Sequence, residues 1–192
     1  MAFERIRTVI VGFGVLALAT AVTAADLRKE LVSALPAAAQ AKPWTPMVET
    51  TTYGEGIGLT EIYDGGYKKY IDNGVVAAVR RVYRKGGLVA EVVLHRMSSE
   101  GAAKKLGAIK KSEFGKAAVK QVAGSAAISG GFIVRQPGMA VAVVWGGRER
   151  PHLCTIVISG RGADREPDPA ALAIAAVRHA AGAPGGAKKA EQ

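Results

Sequence analysis

The chain has 192 residues, a formal net charge of +10, 49% hydrophobic residues and one cysteine. A lone cysteine excludes an intramolecular disulfide, and at this length a hydrophobic core can hold one domain without that staple. Three histidines and one cysteine form no cluster that supports a zinc site.

The first element is a leader. Arg5 and Arg7 precede an apolar run from Thr8 to Ala21, and Val22-Thr23-Ala24 supplies small residues for a cut after Ala24. Residues 1–24 therefore read as a secretory signal peptide. Thr8–Ala25 is also 18 residues long, the short limit for an uncleaved anchor. Gly12-Phe13-Gly14-Val15-Leu16-Ala17 imitates a dinucleotide-binding turn, but Val15–Ala25 carries no charge and lacks the polar face of the helix that should follow. Removing residues 1–24 takes away Arg5, Arg7 and Glu4 and leaves 24 basic and 15 acidic residues. Such an excess favours anionic partners, of which envelope lipid or glycan suits an exported chain. Nucleic acid is not expected, because aromatic residues are sparse among the basic clusters.

Residues 25–54 read as a lead-in: a helix over Asp26–Leu35 ended by Pro36, then an extended stretch whose Trp44 packs onto the domain. Residues 55–182 read as a single α+β domain, and 183–192 as a disordered Gly/Ala/Lys tail. Gly54-Glu55-Gly56-Ile57-Gly58 reads as a flexible turn, since it has neither dinucleotide nor P-loop spacing. Leu59, Ile62, Tyr63, Gly66, Tyr67, Tyr70 and Ile71 recur at helical spacing, which predicts a helix over 59–73 stopped by Asn73-Gly74. Gly65-Gly66 within it costs roughly 1 kcal/mol per glycine, so either another element packs close there or the backbone kinks. Tyr63, Gly65, Gly66, Tyr67 and Tyr70 form the candidate ligand-binding site. The plain reading of the tyrosine stripe is a core face with wet hydroxyl ends, and a ligand-stacking platform is the sharper alternative.

Val75–Arg84 and Gly87–Met97 read as a hairpin turned by Lys85-Gly86-Gly87. Arg80, Arg81, Arg84 and Lys85 form the candidate anion-binding set. Ser98-Ser99-Glu100 opens a helix to about Lys111, with Ala102, Ala103, Leu106 and Ile109 as its apolar face. Strands follow at about Val119–Ile128, Phe132–Gln136, Met139–Trp145 and His152–Ser159. Met139–Trp145 is apolar on both faces, so it should be a covered interior strand. Asp168-Pro169 starts the last helix, which ends near Gly182.

The run from Leu59 through Tyr63, Gly66, Tyr70 and Gly74 resembles the opening helix of an uncharacterised family of exported bacterial proteins, known only as a domain of unknown function. Met97-Ser98-Ser99-Glu100-Gly101-Ala102-Ala103 is similar to that family's second landmark. Asp64 and Tyr67 depart from its pattern, which has Asn and Ala there. The resemblance spans about residues 55–180 and implies a location and a fold, with no chemistry to carry over.

The residues available for chemistry form no recognisable catalytic group. Glu61 and Asp64 share a predicted helix face, and His95 closes a strand. His152 and Cys154 fall on the same strand face, where a buried Cys154 is the plain reading. Asp164, Glu166 and Asp168 alternate like a calcium loop, but Pro169 and Ala175 stand where its glycine and bidentate glutamate belong. No catalytic residue, metal or cofactor is therefore assigned. The expected fold is α+β, a mainly antiparallel twisted sheet of about six strands with packed helices. The expected function is an exported, periplasmic or secreted, non-enzymatic domain that binds a small ligand or an envelope protein. The alternatives are a basic adhesion module for anionic lipid or glycan, and a small hydrolase using Glu61, Asp64 or His95.

Overall fold

A computed structural model describes residues 23–182, apart from positions 116 and 118. The expected signal peptide, but for its last two residues, and the expected tail lie outside the described residues. Among the described residues, no helix is long and apolar enough to cross a membrane.

Helices α1 (Ala24–Ala34) and α2 (Ala38–Ala41) lead into strand β1 (Thr45–Glu55). A 3-10 helix (Gly56–Glu61) and helix α3 (Tyr67–Asp72) precede strands β2 (Val75–Lys85) and β3 (Leu88–Met97). Helix α4 (Glu100–Ser112) then crosses to strands β4 (Val119–Gln121), β5 (Ile128–Gln136), β6 (Met139–Gly146) and β7 (His152–Ser159). A 3-10 turn (Ala163–Arg165) and helix α5 (Ala171–Gly182) complete the described chain. The strands form one sheet in the order β1-β2-β3-β7-β6-β5-β4, and every neighbouring pair is antiparallel. Two meanders, β1–β3 and β4–β7, thus meet where β3 pairs with β7.

Side chains alternate across a strand, so the sheet sorts its apolar residues into two cores. Ala77, Val79, Leu94, Cys154 and Ile156 face α1 and α5, together with Leu31, Leu35 and Trp44. Ala78, Val93, Phe132, Val143 and Leu153 face α4 and the 3-10 helix, together with Leu59 and Leu106. Strand β6 is covered on both faces as its composition requires, with Ala140 to Val144 all buried. The Ser99 hydroxyl caps α4 by accepting from the Ala102 amide at 3.0 Å. Gly107 on α4 lets the Trp145 ring approach so closely that a Cβ there would sit 2.9 Å from it.

The α+β class and the antiparallel sheet match expectation, with seven strands in place of about six. The added strand is β1, placed by the sequence reading in the lead-in. Its register shifts between Met47 and Thr52, and a bulged edge strand has no clean alternation to read. At the bulge the Thr50 hydroxyl accepts the Val82 amide at 2.9 Å. Trp44 does pack onto the domain. The strand expected over Val119–Ile128 is also corrected. Only Val119–Gln121 pairs there, and Ser125 and Ile128 exchange backbone hydrogen bonds of 2.8 and 3.1 Å across a tight turn. The last helix starts at Ala171, after a turn in which the Asp168 carbonyl accepts the Ala171 amide at 3.3 Å.

Candidate functional site

The predicted helix over 59–73 is two pieces. The 3-10 helix ends at Glu61, residues 62–66 turn, and α3 runs only from Tyr67 to Asp72. Gly65 has φ +71, a left-handed conformation that glycine adopts without penalty. The glycine pair is therefore a kink. A Cβ at Gly65 or Gly66 would meet nothing within 4 Å, so neither marks a close approach by another element.

That kink builds the aromatic cluster. On a continuous helix Tyr63 and Tyr70 would stand two turns, about 10 Å, apart. Here the chain folds back and stacks their rings, with centroids 3.6 Å apart and planes 9° from parallel. The His95 ring, at the end of β3, lies parallel to both, 6.0 Å from Tyr63 and 6.1 Å from Tyr70. The His95 Nδ1–H donates to the Leu153 carbonyl at 2.8 Å, which leaves Nε2 to accept from the Tyr63 hydroxyl. His95 is fully buried, and burial pushes its pKa down to about 3, with the nearby Lys110 charge adding and the Leu153 bond opposing. Burial also pushes the Tyr63 hydroxyl above its ordinary range, with Tyr70 next in effect. The Lys110 ammonium stands 5.1 Å from the Tyr70 ring centroid and donates to its hydroxyl at 3.4 Å. Lys69 pairs with Glu113 and ties α3 to the end of α4.

The candidate ligand-binding set is thus divided. Tyr63 and Tyr70 come together, but each covers a ring face of the other. Tyr67 packs separately on the core beneath, half-buried, and Gly65 and Gly66 are exposed. The candidate anion-binding set is divided too, between the two faces of β2. Arg81 and Lys85 share one face of β2 with Tyr83, while Arg80 and Arg84 lie on the other. Arg81 donates to the Thr51 hydroxyl at 2.8 Å, Lys85 pairs with buried Glu166 at 2.9 Å, and Arg80 stands 3.9 Å from Glu91. Arg84 alone is exposed without an ion pair among the described residues.

The chemical candidates do not converge. Glu61 and Asp64 are exposed, while His95 is sealed behind the Tyr63 hydroxyl. Cys154 is fully buried, which pushes its thiol well above the usual range and away from the thiolate. His152 shares its face, as expected, but turns to Glu30 instead. Among the described residues, no His, Cys, Asp or Glu grouping can hold a metal ion.

Sequence reasoning does not reach Glu30. Its carboxylate, on α1, takes His152 Nε2 at 3.2 Å, Arg96 at 3.3 Å and Arg150 at 3.7 Å. The His152 hydrogen bond is the largest influence holding the Glu30 carboxyl below its usual range; burial opposes it, and the arginine charges assist. His152 is fully buried, and its Nδ1 has no partner. Arg96 and His152 lie 66 and 122 residues from Glu30, and no local spacing announces them.

Comparison with known protein families, with curated proteins and with solved structures found no match for this chain.

Proposed function

We infer that this is an exported cell-envelope protein, periplasmic or secreted, whose domain binds a small ligand or an envelope protein without catalysing a reaction. The leader pattern of Arg5, Arg7, the apolar run from Thr8 and the small residues at Val22–Ala24 supports export. The resemblance of Leu59–Gly74 and Met97–Ala103 to an exported family supports the same location.

The observation that carries the binding reading is the way the reactive side chains are engaged. His95, His152 and Glu30 each hold an element in place through bonds to Leu153 and Tyr63 or to one another. The kink at Asp64–Gly66 and the outer side of α3 stay at the surface, backed by the rigid Tyr63–Tyr70 stack. A short exposed segment on a rigid support is where binding residues concentrate.

Two measurements test this. The intact mass of the protein recovered from the envelope fraction should match residues 25–192. A full-length mass or a cytoplasmic location would overturn export. A photoreactive residue at exposed Lys68 should crosslink a defined envelope component in cells, and one at exposed Arg178 on α5 should not. Identical products from both positions would remove the α3 surface as the site.

The exposed stripe Lys104, Lys105 and Lys111 on α4 favours a second reading, adhesion to anionic lipid or glycan. It requires sedimentation with anionic vesicles that falls steeply between low and physiological salt.

A further inference from the structure

We propose that the concavity at the start of α4 is a binding site for a small zwitterion, a free amino acid or a short peptide with both termini unblocked. This goes beyond the binding reading above, because the place is different. Glu100 and Lys110 stand about 15 Å apart along α4 by the helical rise, so this site is separate from the tyrosine stack.

A cavity of about 490 Å³ opens between the first turn of α4, the turn before β5 and the end of β6. Small-ligand sites start near 300 Å³. Glu100 and Arg148 line it together, with Ser125, Ser129, Ala126 and Ile128. The Ser129 hydroxyl donates to the Glu100 carboxylate at 2.6 Å, so one oxygen is held by the wall. Among the described residues neither Glu100 nor Arg148 has an ion-pair partner, although both border the same space.

The ligand class follows from that arrangement. A simple anion would gain from Arg148 but face the Glu100 carboxylate; a simple cation would meet the reverse. A molecule carrying an ammonium and a carboxylate gains from both, through charge-assisted hydrogen bonds. Exposed Ala126 offers an apolar contact to a small side chain, and the two serines offer hydroxyls to a peptide group.

The test is a titration of the ¹⁵N-labelled protein with alanyl-alanine, in its L,L and D,D forms, followed by amide shifts. The blocked probes are N-acetyl-alanyl-alanine and alanyl-alanine amide. Saturable shifts at Ser125, Ser129 and Gly147 are expected below about 10 mM with the free dipeptide of one or both forms. Each blocked probe should bind at least about tenfold more weakly, as expected for loss of one charged contact. Glu100→Gln should remove the penalty for acetylation, and Arg148→Gln the penalty for amidation. Both side chains are exposed, so neither variant endangers the fold. Absence of saturable shifts with both stereoisomers overturns the site. So does equal binding of free and blocked probes to the wild-type chain. Neither outcome bears on crosslinking from Lys68.

Discussion

His95 and His152 stand on paired strands at one end of the sheet, and both are fully buried. His95 faces the α3–α4 side and is held by a backbone carbonyl and a phenol. His152 faces the α1–α5 side and is held by a carboxylate shared with two arginines. Residue type and burial are equal, so the partner decides the chemistry. On one face the imidazole is kept neutral as a link in a chain of neutral hydrogen bonds. On the other it bonds the Glu30 carboxylate, whose pairing with Arg96 and Arg150 makes a lock that fastens the first helix to the sheet. Neither is arranged as an open acid or base.

The largest effect should come from breaking the lock. Glu30→Ala leaves Arg96, Arg150 and His152 without their carboxylate and should destabilise the fold by roughly 2–3 kcal/mol, read by urea denaturation. A loss under about 1 kcal/mol would mean that α1 is held by Leu31 and Leu35 alone. On the other face, Tyr63→Phe removes the donor to His95 Nε2 and leaves a buried acceptor unpaired. About 1–3 kcal/mol should be lost, with the Tyr70 stack kept.

Acid acts on the two faces in different ranges, through His95 on one and Glu30 on the other. His95 has a folded pKa of about 3 against 6.5 unfolded. Below pH 6.5 the unfolded chain therefore takes a proton that the folded chain refuses. Stability is full above pH 6.5 and falls as pH drops from 6.5 toward 3, by up to about 1.4 kcal/mol per unit. Glu30, lowered from 4.5, contributes stability that is present above pH 4.5 and is lost only as pH falls below it. Between pH 6.5 and 4.5 the slope of stability against pH should flatten in His95→Gln and persist in Glu30→Gln. An unchanged slope in His95→Gln would refute the neutral reading of His95. The smallest effect should come from Arg84→Ala. This exposed residue, without an ion pair among the described residues, should change stability by no more than about 0.5 kcal/mol.

How much of the site was legible depends on the range over which each signal acts. The split of the basic set is implicit in the period-two alternation of β2, since Arg80 and Arg81 cannot share a face. The tyrosine spacing is visible, and so is the conflict posed by Gly65-Gly66, but the spacing alone favours a straight helix. Which way the glycine conflict resolves depends on what the sheet offers beneath, and His95 supplies the partner for Tyr63. Strand β1 was hidden because a bulged edge strand trades alternation for side-chain bonds such as that from Val82 to Thr50.

By itself the sequence determined the α+β class, the hairpin at Gly86-Gly87, the cap at Ser99 and the buried interior strand Met139–Trp145. Each is encoded within a few residues, in turn chemistry, capping and periodicity. Only the tertiary structure decided the stacking of Tyr63 on Tyr70, the Glu30 lock, and the shared cavity of Glu100 and Arg148. The lock and the cavity join groups tens of residues apart, and the stack turns on the distant His95 that Tyr63 bonds, so strand order and helix docking set all three and no local rule does.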